Sequence, residues 1–116
     1  MASPGSALES PKRKVITLKK GKKTDENPSG IVIDPYTFHV SKDNNEEVAW
    51  VADAGVKFSV NFDFDEGSPF YETLFGDEAP VSGLVRRDVI CSPTRFRYIV
   101  TIDGDTHNSP DGQVDP

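Results

Sequence analysis

Between Val56 and Phe64 every second residue is apolar: Val56, Phe58, Val60, Phe62 and Phe64 alternate with Lys57, Ser59, Asn61 and Asp63. Successive side chains of a strand point to opposite faces, so this period of two predicts a strand with one face buried and one wet. The alternation returns in FRYIVTI, residues 96–102, where Phe96, Tyr98, Val100 and Ile102 share a face and Asp103-Gly104 follows as a tight-turn signal. Shorter runs repeat the theme. Ile31-Val32-Ile33 ends at Asp34-Pro35, TFHV occupies 37–40, EVAWVA occupies 47–52 with Val48, Trp50 and Ala52 on one face, and LVRRDVI occupies 84–90. KVITLKKG, residues 14–21, reads as a first, edge strand whose lysines discourage pairing with another chain. No long helical period occurs. Only YETLF, residues 71–75, reads as a helical turn, inside a long connection from 65 to 83. Beyond Gly104 the chain is polar, with at most a short strand near Gly112–Val114. Short strands separated by turn signals predict an all-β fold, a small Greek-key sandwich of six to eight strands.

At 116 residues the chain makes one domain. Residues 1–13 read as a disordered, basic, Ser- and Pro-rich arm, and 14–116 as a single sandwich domain with a polar C-terminal tail. Charge divides along the same line. Residues 1–23 carry seven lysines and arginines against one glutamate, and the remainder carries six against eighteen acids, so a basic arm precedes an acidic body in a chain of net charge −6. Such a body repels nucleic acid and acidic surfaces. The lysines of the arm have no aromatic neighbours to stack bases, so the arm is assigned neither nucleic-acid nor membrane contact. No run approaches the ~18 apolar residues of a membrane span, and no apolar segment marks a secretory leader. Cys91 is the only cysteine, which excludes an intrachain disulfide and fits a cytoplasmic location.

The order FHVSKDNNEEVAW, VKFSVNF, SPF and RFRYIVTIDG resembles the cupredoxin-like β-sandwiches over residues 31–103. The resemblance implies a scaffold in which a copper-ligand His belongs near the VKFSVNF strand, and a Cys, a second His and usually a Met cluster just after the aromatic strand. This chain departs at each place. Phe58 stands where the first His is expected and Val100 near the expected Cys, Met1 is the only methionine, Cys91 precedes the strand, and His107 is remote from Cys91 in sequence. Blue copper needs two imidazoles and a thiolate on one ion. Immunoglobulin-like sandwiches produce similar patterns, so the fold expected is cupredoxin-like or immunoglobulin-like, and the cupredoxin resemblance implies the scaffold without metal or cofactor.

The remaining chemistry is sparse. His39 lies mid-strand, facing opposite to Phe38 and Val40, and is expected in solvent. Asp63, Asp65 and Glu66, and Asp103 with Asp105, are hard ligands on turning backbone, but neither run has the twelve-residue calcium-loop spacing. Gly-x-Ser-x-Gly, His-Glu-x-x-His and phosphate-binding glycine loops are absent from the sequence, so no catalytic residue is named and the chain reads as a non-enzyme. Trp50 and the strand phenylalanines read as core. Phe70, Tyr71, Leu74 and Phe75 stand apart because they lie in the long connection; they either plug the end of the sandwich or form an exposed patch for an unidentified protein partner. The expectation is thus an interaction module, with an unusual copper or calcium protein as the alternative.

Overall fold

A computed structural model describes residues 11–89 and 94–116. Nine strands form among these residues: β1 Lys12–Lys20, β2 Ile31–Asp34, β3 Thr37–Ser41, β4 Glu46–Val51, β5 Phe58–Asn61, β6 Leu74–Gly76, β7 Val81–Leu84, β8 Arg95–Ile102 and β9 Asp105–Asp115. They make two mixed sheets, one ordered β2-β1-β4-β7 and the other β3-β9-β8-β5-β6. The fold is an all-β sandwich, as the alternating pattern predicts. It has one strand more than the upper end of the expected range.

The inward residues follow the period of two. Ile16 and Leu18 of β1, Ile31 and Ile33 of β2, and Val48 and Trp50 of β4 face Phe38, Val40, Phe58, Val60, Tyr98, Val100 and Val114 of the other sheet. Phe38, Trp50, Phe62, Phe70, Phe75 and Tyr98 form one ring cluster, with Phe75 stacked on Trp50 at 5.2 Å and Phe70 on Phe38 at 6.0 Å. Offset and edge-to-face contacts of this kind add to plain area burial. Trp50 Nε1 and Tyr98 Oη are enclosed without a hydrogen bond of normal geometry, and burial pushes the Tyr98 phenol above its ordinary pKa against a smaller opposing pull from the Trp50 indole.

Four sequence expectations are corrected. First, β1 is no edge. It begins at Lys12, two residues before the expected start of the domain, and it pairs antiparallel with β2 and parallel with β4. Its lysines and arginine occupy the outward face and the strand ends, which a one-sided interior strand accommodates as readily as an edge does. Only residues 1–10 of the expected arm lie outside the described residues. Second, YETLF contains no helical turn. Ser68 Oγ donates to the Glu72 carbonyl and accepts from Phe70 N–H, closing a bend, and Leu74–Gly76 then pairs with β5. Third, the LVRRDVI strand is displaced to β7, residues 81–84. Arg86 Nε and Nη2 donate to the Ser68 carbonyl at 3.0 and 2.9 Å, and the chain turns at Arg87-Asp88. Fourth, the polar tail is β9, an eleven-residue strand inside its sheet between β3 and β8. Its Pro110 falls at a register shift opposite Arg97–Ile99, where a bulge excuses a residue without an N–H.

Between β2 and β3 the chain crosses from one sheet to the other at Asp34-Pro35, whose peptide bond is cis. On β9, Gly112 lies directly under the Phe38 ring, where a Cβ atom would come within 1.9 Å of Phe38 Cζ.

Candidate interaction surface

The four connection residues singled out by sequence divide into two pairs. Phe70 and Phe75 are 1% and 4% exposed and belong to the ring cluster, whereas Tyr71 and Leu74 are 65% and 61% exposed. One pair plugs the sandwich and the other is presented to solvent. The buried pair holds the exposed pair in place. Phe70 bridges to Val85, and Phe75 sits opposite Val60 in the β5–β6 pairing, so Tyr71 to Leu74 is a short arch between two fixed anchors. Tyr71 Oη accepts from Arg87 N–H at 3.3 Å.

A shallow cleft of about 300 Å³ adjoins this arch at Leu74, and a second of similar volume shares Phe58 and Asp77 with it. One is lined by Phe58, Ser59, Leu74, Phe75 and Gly76, and the other by Trp50, Val51, Val56 and Pro80. Asp77 closes the β6–β7 turn onto β5: its Oδ1 accepts from Phe58 N–H at 3.0 Å, and its own N–H donates to the Phe58 carbonyl at 3.3 Å. Gly76 is required at this point, since a Cβ there would stand 2.7 Å from the Phe58 carbonyl oxygen. Apolar walls under exposed Asp77 and Glu78 suit a ligand with an apolar body and a cationic tip. Sequence reasoning missed the clefts because their walls come from β4, β5 and β6, which are adjacent only in the folded sheets.

The end of β8 is a plain turn. Asp103 and Gly104 have φ of 52° and 81°, the left-handed pair of a two-residue type I′ hairpin, and β9 starts at once. His107 sits on β9 across from Val100, its Nδ1 3.0 Å from Ser29 Oγ and its Nε2 3.2 Å from Tyr36 Oη. His39 is exposed, as expected, and its Nδ1 lies 3.3 Å from Asp115 Oδ2. His39 pairs with Gln113, so the two imidazoles are about six residues, or ~20 Å, apart along the sheet. Cys91 lies outside the described residues. Among the described residues no group of three or more His, Cys, Asp or Glu side chains is placed to hold a metal ion.

One carboxylate in each acidic run considered for calcium, Glu66 in the first and Asp105 in the second, is engaged with cations. Arg97 Nε and Nη2 donate to Glu66 Oε2 and Oε1 at 2.8 and 2.9 Å, the Arg97 side chain lies 4.4 Å over the Phe64 ring, and this grip lowers the Glu66 carboxyl to about 2. Asp105 takes Lys23 and Lys20 at 2.8 and 3.0 Å, and these two ammonium groups lower its pKa. Arg95 reaches Asp111 at 3.2 Å. Arg95 and Arg97 are thus local carboxylate partners.

The Ser29–His107 contact has the elements of a nucleophile and a base. The Ser29 hydroxyl is committed to structure, however. It accepts from Ile31 N–H at 3.0 Å, lies 3.2 Å from Asn27 Oδ1 and is buried. Together with Asn27 Nδ2, which donates to the Ile31 carbonyl, it caps the free edge of β2. No helix is long and apolar enough to cross a membrane among the described residues. Neither a protein-family model, nor a curated protein, nor a solved structure matches the chain.

Proposed function

We propose that the chain is a non-enzymatic protein-interaction module on a metal-free, cupredoxin-like sandwich, and that it meets its partner through the Tyr71–Leu74 arch and the adjoining clefts. The observation that carries this reading is the split in the connection: two buried aromatics anchor a segment whose two other apolar side chains face water. A segment that only closed a core would bury all four, because each exposed apolar side chain forgoes ~1.5–3 kcal/mol of burial. The cupredoxin-like assignment is favoured over the immunoglobulin-like one by the parallel pairs β1–β4 and β3–β9, since immunoglobulin sheets are antiparallel. At the place where the resemblance expects a ligand loop, the chain has a two-residue turn, and Phe58 lines the clefts where an imidazole would stand. One cysteine and no possible internal disulfide fit the cytoplasm, the location we assign.

The test is a pair of variants. Tyr71→Ser with Leu74→Ser leaves the fold intact and abolishes binding of the native partner. Phe70→Ser with Phe75→Ser unfolds the protein, since each removes a core ring worth ~3–5 kcal/mol. Metal analysis of the protein purified from its host separates this reading from a copper or calcium protein: a stoichiometric bound metal contradicts it.

A further inference from the structure

The two clefts are contiguous, because Phe58 and Asp77 line both. Their walls are largely apolar, and two of the lining side chains, Leu74 and Val51, are 61% and 47% exposed. The charged residues that line them are Asp53, Asp77 and Glu78, all exposed and all of one sign. None of the three has a lysine, arginine or histidine partner among the described residues. Carboxylates elsewhere on this acidic body are paired: Glu47, Glu66, Asp88, Asp105 and Asp111 each hold an arginine or a lysine. Lys57 lies between Val56 and Phe58 in sequence, and Arg87 meets Tyr71 through its N–H, yet neither lines a cleft. The backbone beside the clefts is also engaged. β6 is the edge of its sheet, but Gly76 N–H donates to the Ala79 carbonyl at 3.2 Å and the Gly76 carbonyl accepts from Ala79 N–H at 2.9 Å. A partner strand finds this edge closed at Gly76, so recognition falls to side chains rather than to strand addition.

We infer that the partner presents a basic, apolar peptide segment to these clefts: large apolar side chains cover the walls, and flanking lysine or arginine side chains meet Asp53, Asp77 and Glu78. The inference rests on the reading of the arch as the working surface and names the chemistry of what meets it. Charge selects the occupant. Three unpaired carboxylates around one depression set a negative potential that attracts a cationic partner and repels nucleic acid, an anionic membrane and the acidic body of a second copy. The apolar walls require more than a cation, since a hydrated ion leaves Leu74 and Val51 in water. Size favours a peptide. Each cleft holds about 300 Å³, the lower limit of small-molecule sites, and is too shallow to enclose a compact ligand, whereas neighbouring side chains of one segment cover both. Asp77 is fixed for the task. Its Oδ1 is held by Phe58 N–H, which orients the carboxylate and leaves Oδ2 to a guanidinium or ammonium group.

Selection of random short peptides displayed on phage against the full chain tests this chemistry without a known partner. The enriched peptides carry lysine or arginine beside large apolar residues and few acids. Made synthetically and followed by fluorescence anisotropy, they bind wild type and lose about tenfold or more in affinity on the Asp53→Lys, Glu78→Lys variant. Their binding also weakens as salt rises from about 50 to about 500 mM. Serine in place of their apolar residues costs about tenfold as well, which separates a fitted segment from a simple polycation. Asp43→Lys, an exposed change in the β3–β4 turn, leaves the affinity within about twofold of wild type. Trp50 fluorescence confirms the fold of each unliganded variant. A selection that enriches nothing overturns the inference, as does charge reversal at Asp53 and Glu78 that leaves binding unchanged. Neutral or acidic peptides that are lost on Tyr71→Ser with Leu74→Ser overturn it too, while leaving the arch as the working surface. Basic, apolar peptides that depend on Asp53 and Glu78 but not on Tyr71 and Leu74 uphold the chemistry of the clefts and remove the arch from the interface.

Discussion

Replacing Gly112 by alanine puts a methyl group into the middle of the aromatic core. The added Cβ would lie 1.9–2.3 Å from three atoms of the Phe38 ring. Carbon contacts settle at ~3.5–4.0 Å, so the ring must retreat by about 1.5 Å or more. It has nowhere to go: Trp50, Phe62, Phe70 and Tyr98 surround it at centroid distances of 6.0–6.5 Å. Overpacking of this kind costs ~1–3 kcal/mol, and complete loss of a phenylalanine from the core costs ~3–5 kcal/mol. Alanine recovers ~0.5–1 kcal/mol over glycine in a strand. A clash with three ring atoms at once puts the cost at the upper end, about 3 kcal/mol, so the net expectation is a loss of about 2 kcal/mol. Urea unfolding followed by the fluorescence of Trp50, the only tryptophan, reads it as a midpoint lowered by about 1–2 M. The cause is separable from a general strand effect. In Phe38→Leu the smaller side chain makes room, so Gly112→Ala costs less there than in wild type, and the double-mutant cycle shows coupling of ~1–2 kcal/mol. A Gly112→Ala loss below about 1 kcal/mol refutes the close approach of ring and backbone. So does a cycle additive to within about 0.5 kcal/mol.

Other perturbations have equally definite outcomes. Phe58→Ala removes an inward ring of β5 that also lines both clefts, and costs ~3–5 kcal/mol in the same urea assay. Tyr98→Phe is neutral or stabilising by up to ~1 kcal/mol, because it deletes an enclosed hydroxyl that makes no hydrogen bond of normal geometry; a loss above about 2 kcal/mol would reveal that its interaction with the Trp50 indole is a full hydrogen bond. Glu66 has a folded-state pKa of about 2 against 4.5 for the free group, so its pairing with Arg97 contributes stability above pH 4.5 that is lost as pH falls toward 2. Glu66→Gln should accordingly flatten the stability–pH curve between those values, as followed by thermal unfolding. Deleting residues 1–18 removes most of an interior strand and abolishes cooperative unfolding.

How far the sequence was legible depended on what made each strand. β5 and β8 announce themselves because one face is buried among large rings and the other is wet. β9 does not. It buries Pro110, Gly112 and Val114, of which only Val114 has a large apolar side chain, because Phe38 fills the space that a side chain at 112 would take. A strand whose inward position is vacated for a neighbour's ring carries no alternation to read. β1 was legible as a strand but not as an interior one, since lysines on a solvent-facing side look the same whether or not the backbone has two neighbours. β6 has three residues, too few to show a period. The candidate surface was legible as a place, residues 70–75, but not as a division of labour. Phe70 and Phe75 are buried through Phe38 and Trp50, which lie more than twenty positions away in sequence. Likewise, Glu66 and Asp105 look like free ligands until Arg97, Lys20 and Lys23 are brought to them.

The central claim, that the exposed half of the 65–83 connection is the working surface, is tested most directly by a paired affinity purification from the native host. Wild type and the folded Tyr71→Ser, Leu74→Ser variant are tagged identically, expressed at equal level and compared by quantitative mass spectrometry. The account predicts that at least one protein retained in stoichiometric amount by wild type falls at least tenfold on the variant, corresponding to ~1.4 kcal/mol of binding free energy. It also predicts that the same partner binds purified wild type directly, and purified variant at least tenfold more weakly. A stoichiometric partner retained equally by both chains would contradict the account and move the interaction away from Tyr71 and Leu74.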